Sequence, residues 1–342
     1  MTFLKNCWYL AAWSEEVADG LPFARTLLDK PIVFYRTGEK VVALFDRCPH
    51  RFAPLSLGSV KDGNIRCAYH GIAFGPDGRC IANPHGIAPR SVRTLAYPVT
   101  ERYGAVWIWM GDPQLADFDL VPDLSFIDAV PRKTHVKGLI PTAANYLLVA
   151  DNIMDLTHAD SLHPSTLGGG SISKVKPEVF EDSRGVTIRW SIYNELPPPG
   201  IDRFMPNPGT PADAVRESYM VVPAVTKLTG SFMPAGRPAE EGLRLVTAHV
   251  MTPETEFSTH YFYCNTRNYG LEDEALTRQI SELTNLAFAG EDKAMIEAQQ
   301  NRMGASDFWS LKPALIASDK GSIAFRRLLE RHIAKEAETM GH

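Results

Sequence analysis

The sequence has few cysteines and no long hydrophobic run, and each of these absences excludes a class of protein. Five cysteines among 342 residues, an odd number, give no evident disulfide framework. We therefore expect a reducing, cytoplasmic setting. No apolar run reaches the roughly eighteen residues of a membrane-spanning helix, and the first residues lack a signal-peptide pattern. No membrane contact is expected.

Concentrated positive charge and a dinucleotide fingerprint are absent as well. The net charge is −5, with 35 basic and 40 acidic residues and no basic block, so nucleic acid is not an expected partner. No glycine-rich nucleotide-binding fingerprint occurs. Any NAD(P)H would therefore act indirectly, through a separate reductase. The length allows two ordinary domains.

Two short Cys-His motifs are the most informative feature present. Cys48-Pro49-His50 is followed, after sixteen residues, by Cys67-Ala68-Tyr69-His70. Two thiolates and two imidazoles could bind zinc. A Rieske [2Fe–2S] cluster uses the same ligands, with two Cys on one iron and two His on the other. Because each motif supplies one Cys and one His, the spacing favours the Rieske cluster over a structural zinc site.

The chain around these motifs predicts an all-β domain. Residues 31–36, 40–45 and 103–110 form β-rich runs, and Gly75-Pro-Asp-Gly78 marks a turn. Both Cys-His loops adjoin such runs, so a rigid sheet could hold them close together. We assign residues 1–118 to a Rieske [2Fe–2S] domain and residues 119–342 to a catalytic domain.

The second part predicts a sheet with helices packed on it, which makes the fold class α+β. Residues 145–158 and the chain from Asp273 are helical in pattern, with Leu276, Ile280, Leu283 and Leu286 placed as one apolar stripe. Six prolines between residues 196 and 213 argue against any regular element there. The predicted strands comprise residues 186–192, 218–222, 243–251 and 258–263.

Two histidines in the first of these helices suggest a second metal site. His158 and His163 are five residues apart, about 140° around a regular helix, so they converge only if the helix ends or loosens near Ala159. Two imidazoles and a carboxylate form the facial triad of non-haem Fe(II) sites. Asp292 is the best distant carboxylate, with Glu291 as its neighbouring rival. Taken alone, these histidines would be better interpreted as core or surface residues, and a solvated helix carboxylate is a serious alternative for Asp292. The Rieske motif upstream and Asp155 on the same side reverse the interpretation of the histidines.

Asn152, Asp155 and His158 are spaced three apart and would line one side of a helix. Asp155 would then lie near the metal ligand without binding the metal. Its carboxylate could accept a hydrogen bond from a histidine and orient it. We predict catalytic roles for Asp155 and Asn152, against the alternative of a carboxylate satisfied locally or by water.

With these motifs in place, the chain resembles the oxygenase component of Rieske non-haem iron oxygenases, most closely the vanillate and dicamba O-demethylases. The resemblance spans nearly the whole chain, including Cys-Pro-His-Arg, Cys-Ala-Tyr-His-Gly and Asp-Asn-Ile-Met-Asp-Leu-Thr-His. It implies that one cluster and one Fe(2+) are bound. By resemblance, the cluster ligands are Cys48, His50, Cys67 and His70, and the iron ligands are His158, His163 and Asp292.

The resemblance also implies partners and an activity. Asp155 matches a bridging aspartate that contacts a cluster histidine, here His70, of the neighbouring subunit in a homotrimer. A reductase or ferredoxin supplies the electrons. The implied reaction is O-demethylation of a methoxylated aromatic acid such as vanillate, with release of formaldehyde. The alternatives are hydroxylation of a ring or aryl methyl group, and a Rieske electron carrier without oxygenase activity.

The substrate contacts are the least defined part of this interpretation. His249 resembles a substrate-pocket histidine of dicamba O-demethylase, although a satisfied core histidine is an equal interpretation. Leu228 and Leu283 stand where that enzyme is expected to have polar and aromatic substrate contacts. This departure argues against dicamba as the substrate.

Overall fold

A computed structural model describes residues 3–87, 91–164, 167, 172–197 and 199–340. The chain divides into two compact units, which meet between Pro122 and Asp123 along the sequence. The domain boundary proposed from the sequence, between residues 118 and 119, remains a prediction. No helix in the described part of the chain is long and apolar enough to cross a membrane.

The first unit is built from three small antiparallel sheets. Their strand orders are β1-β11-β10, β2-β3-β4-β9 and β5-β6-β7-β8. The strands are β1 (Trp8–Trp13), β2 (Phe23–Leu27), β3 (Lys30–Thr37), β4 (Lys40–Phe45), β5 (Ser59–Lys61), β6 (Asn64–Arg66), β7 (Ala73–Phe74), β8 (Cys80–Ala82), β9 (Ala96–Tyr97), β10 (Val99–Arg102) and β11 (Ala105–Trp109).

A single apolar cluster of this unit includes the two motif cysteines. Val33 and Leu44 come from β3 and β4, and Phe74 comes from β7. Cys48 and Cys67 pack against this cluster, and each is 2% exposed. Burial of these side chains stabilises the sheets and fixes the two Cys-His loops beside each other.

The second unit is dominated by one seven-stranded antiparallel sheet of order β12-β18-β17-β16-β15-β14-β13. Burial alternates along β14 from Val186 to Ile192, which shows that one face of the sheet is covered and the other is more open. The strands are β12 (Val136–Thr142), β13 (Glu178–Glu181), β14 (Gly185–Glu195), β15 (Ala212–Val221), β16 (Val225–Pro234), β17 (Leu243–Thr255) and β18 (Ser258–Arg267).

Helices cover one side of this sheet, which we call the inner face. The side chains of Tyr263 and Asn265 on β18 point to this side. Tyr263 donates a hydrogen bond to Asn285, and Asn265 donates one to Thr284, at the C-terminal end of the helix that begins at Glu274. The helices are α1 (Tyr146–Met154), α2 (Ala159–Leu162), α3 (Pro199–Asp202), α4 (Glu274–Thr284), α5 (Lys293–Met303) and α6 (Lys320–Met340), with a π-helix at Asn285–Asp292 between α4 and α5. The α+β prediction is confirmed.

Helix α1 is fixed at its start and along its side. The Asn145 side chain accepts a hydrogen bond from the Leu147 N–H, which satisfies one free donor of the first turn. Asp151 forms an ion pair with Arg326 of α6 at 2.6 Å. Because Arg326 is 4% exposed, this pair holds the two helices in one orientation.

Helix α1 ends earlier than the sequence pattern predicts. It stops at Met154, and Asp155 adopts extended angles (φ −132°, ψ 92°) before a 3-10 turn at Leu156–His158. The Asp155 carboxylate accepts from the Thr157 N–H and hydroxyl, so it starts a new turn instead of continuing the helix. The prediction that Asn152, Asp155 and His158 share one regular helix is therefore wrong.

Three other expectations were also wrong in part. The proline-rich stretch contains helix α3 and the first residues of β15, although Pro198 lies outside the described residues. Leu286 is 53% exposed, because the π-helix turns its buried side to Ala287 and Phe288. Strands β12, β13 and β16 were not predicted.

Candidate metal centres

The two Cys-His loops have the same backbone hydrogen bonds. In each, the cysteine carbonyl accepts from the residue four positions later, Phe52 or Gly71, at 2.8 and 3.0 Å. The cysteine N–H donates to the residue five positions later, Ala53 or Ile72. Phe52 and Gly71 both have positive φ, 62° and 71°, which closes each loop tightly. The two motifs therefore share one loop conformation.

The two loops place the cysteines next to each other and the histidines next to each other. Cys48 and Cys67 are buried together, and the rings of His50 and His70 lie 4.5 Å apart at an angle of 68°. Burial raises the pKa of the Cys48 thiol, and the neighbouring Cys67 raises it further, while the N–H groups of His50 and Arg51 oppose the shift. Two thiols on the inside and two imidazoles towards solvent suit the division of ligands between the irons of a Rieske cluster.

The second centre lies in the other unit, where the predicted trio comes together. One ligand atom from each of His158, His163 and Asp292 lies within 4.8 Å of the others. Asp292 Oδ1 is 3.0 Å from His163 Nε2 and 3.4 Å from His158 Nε2. The break at Asp155 lets α2 begin in a new direction, so the two imidazoles converge although their spacing on one helix would separate them.

The outer nitrogens of both imidazoles are held by oxygen atoms. His158 Nδ1 donates to the Asp155 main-chain carbonyl at 2.5 Å, and His163 Nδ1 donates to Glu291 Oε2 at 2.7 Å. In neutral rings this leaves the Nε2 lone pairs facing Asp292. Three electron-pair donors facing one another repel unless positive charge, as protons or a metal ion, lies between them.

The geometry and charges of the trio fit a divalent metal. Ligands about 2.1 Å from an ion and at right angles lie about 3.0 Å apart, close to the observed separations. Burial raises the pKa of Asp292, but when His158 and His163 carry protons on their inner nitrogens, their hydrogen bonds and charge outweigh it and bring the pKa to about 2. The carboxylate is therefore ionised, and two imidazoles with one carboxylate suit non-haem Fe(II).

Asn152 and Asp155 both lie beside this centre, but their contacts differ from the predicted ones. Asn152 donates to Asp292 Oδ1 at 3.0 Å, and its Nδ2 lies 3.4 Å from His158 Nε2. Asp155 orients His158 through its carbonyl, whereas its carboxylate caps the next turn. Both residues also line a cavity of about 510 Å³ next to His158.

Two of the three predicted substrate contacts lie on the inner face. His249 on β17 and Leu228 on β16 are diagonal neighbours on that face, because Thr226 pairs with His249 and Leu228 pairs with Thr247. Nδ1 of the fully buried His249 shares a hydrogen bond of 2.6 Å with the Tyr261 hydroxyl. Burial lowers the pKa of His249 to about 3, against the opposing charge of Asp292. Leu283 is half-buried in α4, and its role stays a prediction.

Sequence reasoning missed two members of the site. Glu291 was considered only as a rival ligand, and the structure places it on the far side of the His163 ring. Tyr261 was not considered, although its hydroxyl fixes His249. The alternation of β18 places Tyr261 on the inner face two residues from Tyr263, which is the signal that could have found it.

Both parts of the chain match known protein families. The family model described as Rieske [2Fe-2S] domain matches residues 7–95, and that described as vanillate O-demethylase oxygenase C-terminal domain matches residues 142–335. The oxygenase component of chloroacetanilide N-alkylformylase from Rhizorhabdus wittichii is 38% identical, over 98% of this chain and 97% of the relative.

A second relative and a solved protein are similar over the same extent. The iron-sulfur subunit of the toluene-4-sulfonate monooxygenase system of Comamonas testosteroni is 39% identical, over 98% of each chain. Dicamba monooxygenase bound to 3,6-dichlorosalicylic acid matches with a TM-score of 0.92 and 34% identity, over 98% of this chain and 99% of that one. Its form with non-haem iron and dicamba has a TM-score of 0.86, with 33% identity and coverage of 99% and 100%.

Proposed function

Because the chain belongs to the Rieske non-haem iron oxygenases, as an oxygenase component that acts on aromatic substrates, we propose that it O-demethylates a methoxylated aromatic acid such as vanillate. The reaction consumes O2 and electrons and releases formaldehyde. The observation that carries the proposal is the convergence of His158, His163 and Asp292 beside an inner face on which one histidine nitrogen has no partner among the described residues.

The chain's own residues hold both cofactors in this proposal. Cys48, Cys67, His50 and His70 bind the [2Fe–2S] cluster, and His158, His163 and Asp292 bind Fe(2+). When bound, the cluster supplies single electrons and the mononuclear iron supplies O2 activation. Glu291 and the Asp155 carbonyl keep protons on the outer nitrogens, so that the inner nitrogens remain available as ligands.

The substrate ring is positioned by aromatic and polar groups on the inner face. Phe288 lies 5.3 Å from the His249 ring and 6.1 Å from the Tyr261 ring, which gives the region an apolar lining. Nε2 of His249 is buried and has no partner among the described residues. In the tautomer with a proton on Nε2, Tyr261 donates to Nδ1 and His249 donates to a substrate oxygen.

Three further proposals concern partners and location. A separate reductase or ferredoxin passes electrons from NAD(P)H. The active assembly is a homotrimer, in which the Asp155 side of the cavity near His158 receives His70 of a second copy. The protein acts in the cytoplasm.

The decisive experiment combines iron analysis with product analysis. Purified protein is supplied with a surrogate reductase, NADH and a panel of methoxybenzoates that includes vanillate. We expect three irons per chain and formaldehyde in step with phenol formation, with Asp292→Asn as the inactive control that keeps the cluster. Hydroxylated product without formaldehyde would indicate the hydroxylase alternative. Two irons per chain without substrate-dependent O2 uptake would indicate an electron carrier.

A further inference from the structure

Arg216 points to the inner face of the sheet, where an arginine is unexpected. It pairs in register with Trp190 on β14 and with Gly230 on β16, and Gly230 pairs with Leu245 on β17. Directly paired residues share a face. Trp190 is two residues from Ile188, whose side chain lies against Gly321 of α6, so this row belongs to the helix-covered side.

The guanidinium of Arg216 lacks an anionic partner. In the part of the chain that the structure describes, it makes no hydrogen bond or ion pair and only stacks on the Phe232 ring, 4.3 Å from its centroid. The side chain is half-buried. Burial lowers the pKa of Arg216 to about 10, with opposing charge from Tyr269, so it is a cation at neutral pH. A partly desolvated cation without a counterion costs stability unless a ligand supplies one.

The neighbouring strand leaves room for this side chain. A Cβ on Gly230 would lie 2.6 Å from Arg216 Nη1 and 3.4 Å from its Cζ. Any side chain at this position would therefore displace the guanidinium. Glycine weakens the interior of a strand, and its presence in β16 lets the arginine lie across the sheet towards β17.

Other polar atoms on the same face also lack partners. Trp190 Nε1, Thr226 Oγ1 and His249 Nε2 are buried without a hydrogen-bond partner among the described residues. The register places Trp190 beside Arg216 and Thr226 beside His249. Buried polar groups are normally paired, so four unsatisfied groups on one face indicate a polar ligand that spans it.

We propose that Arg216 binds the anionic group of the substrate, a carboxylate or sulfonate on an aromatic ring, at the end of the inner face remote from the metal-binding trio. This proposal rests on the proposed function, because it assigns the inner face to the substrate. Arg216 and His249 are separated by four residues along the strand direction, about 13 Å, and by two strands across the sheet, about 10 Å. That separation suits one ring bound at both ends by long side chains.

Binding measurements on the iron-loaded protein test this role without turnover. Calorimetry would compare 4-methoxybenzoate, 4-methoxybenzenesulfonate and the neutral 4-methoxybenzamide under anaerobic conditions. We expect the wild type to prefer either or both anions over the amide by about tenfold or more, as a charge-assisted hydrogen bond allows. Arg216→Met should lose that preference. Arg189→Met, on β14 and paired with Glu217 on the other face, should keep it.

Two further variants separate anion binding from a structural role. Arg216→Lys keeps the charge and should recover part of the preference. Gly230→Ala keeps Arg216 but displaces it, and should weaken anion binding more than amide binding. Thermal melting of Arg216→Met should stay level or rise, since it removes an unpaired cation; a clear fall, with the anion preference retained, would overturn the proposal.

Failure of the inference is distinguishable from failure of the proposed function. A wild type that demethylates neutral aromatic ethers as well as anionic ones, without an anion preference in binding, would keep the function and overturn the role of Arg216. Absence of a third iron and of any aromatic-dependent O2 uptake would overturn both.

Discussion

Glu291 and Asp292 are adjacent in sequence and lie against opposite edges of one imidazole. Glu291 Oε2 is 2.7 Å from His163 Nδ1, and Asp292 Oδ1 is 3.0 Å from His163 Nε2. A π-helix brings both carboxylates to the ring. The two residues that compete as metal ligands in the sequence therefore have complementary positions.

The first prediction separates these two carboxylates. Asp292→Asn removes a charged ligand and should abolish binding of the third iron. Glu291→Gln keeps the ligand set but weakens the orientation of His163, and should lower iron affinity about 10- to 100-fold. Iron titration followed by metal analysis measures both. Full iron loss in Glu291→Gln together with retention in Asp292→Asn would reverse the assignment.

The second prediction concerns Asp155. Asp155→Asn keeps the main-chain carbonyl that holds His158, so both metal sites should load normally. If the carboxylate joins neighbouring subunits, turnover should fall by about 10- to 100-fold. Single-turnover measurements of cluster reoxidation would show the delay directly. Unchanged reoxidation would contradict the bridging role, and the iron count serves as the control.

The third prediction is a stability effect at the ion pair between Asp151 and Arg326. Arg326 is almost fully buried, so Asp151→Ala leaves a cation without its partner and should cost about 3 kcal/mol. Glu181→Ala breaks the exposed pair with Arg331 and should cost less than about 1 kcal/mol. Chemical denaturation compares the two. Equal losses would show that the first pair is no more important than a surface contact.

The fourth prediction follows from the lowered pKa of His249. Its folded pKa of about 3 lies below the ordinary value of 6.5, so the unfolded chain binds the proton first as pH falls. Stability is therefore complete above pH 6.5 and declines towards pH 3, by up to about 1.4 kcal/mol per pH unit from this residue.

A variant isolates that contribution. His249→Gln should melt below the wild type at pH 7.5, because the contact with Tyr261 changes. The difference in melting temperature should shrink or reverse by pH 5. A constant difference across this range would show that His249 titrates normally in the folded protein.

The sequence identifies the side chains that the structure brings together, but it predicts their local geometry poorly. Cys48, Cys67 and their histidines are recognisable because the chemistry demands those residues at close spacing. The break at Asp155 is not recognisable, since its cause is a side-chain cap that competes with an otherwise regular helical pattern. The π-helix before Lys293 has the composition of an α-helix, so periodicity assigns Leu286 to the wrong side.

Strand β16 shows why part of the inner face is harder to predict than the sheet around it. Its inner positions include Thr226, Leu228 and Gly230, so the apolar alternation that identifies a strand is missing. Gly230 faces the Arg216 side chain, and the hydroxyl of Thr226 is buried without a hydrogen-bond partner among the described residues. Local rules are weakest where polar groups replace apolar core packing.

The π-helix also makes the length of this segment critical. A π-helical turn holds more residues than an α-helical turn, so Asn285–Asp292 behaves as an α-helix with an added residue. Deleting Gly290 would remove that added residue and let the segment relax into an α-helix with Asp292 in nearly its present direction relative to α4. Inserting one further residue with α-helical winding would instead turn Asp292 by about 100°. Engineering of this protein should therefore tolerate the loss of one residue here more readily than the gain of one, which would turn Asp292 away from His158 and His163.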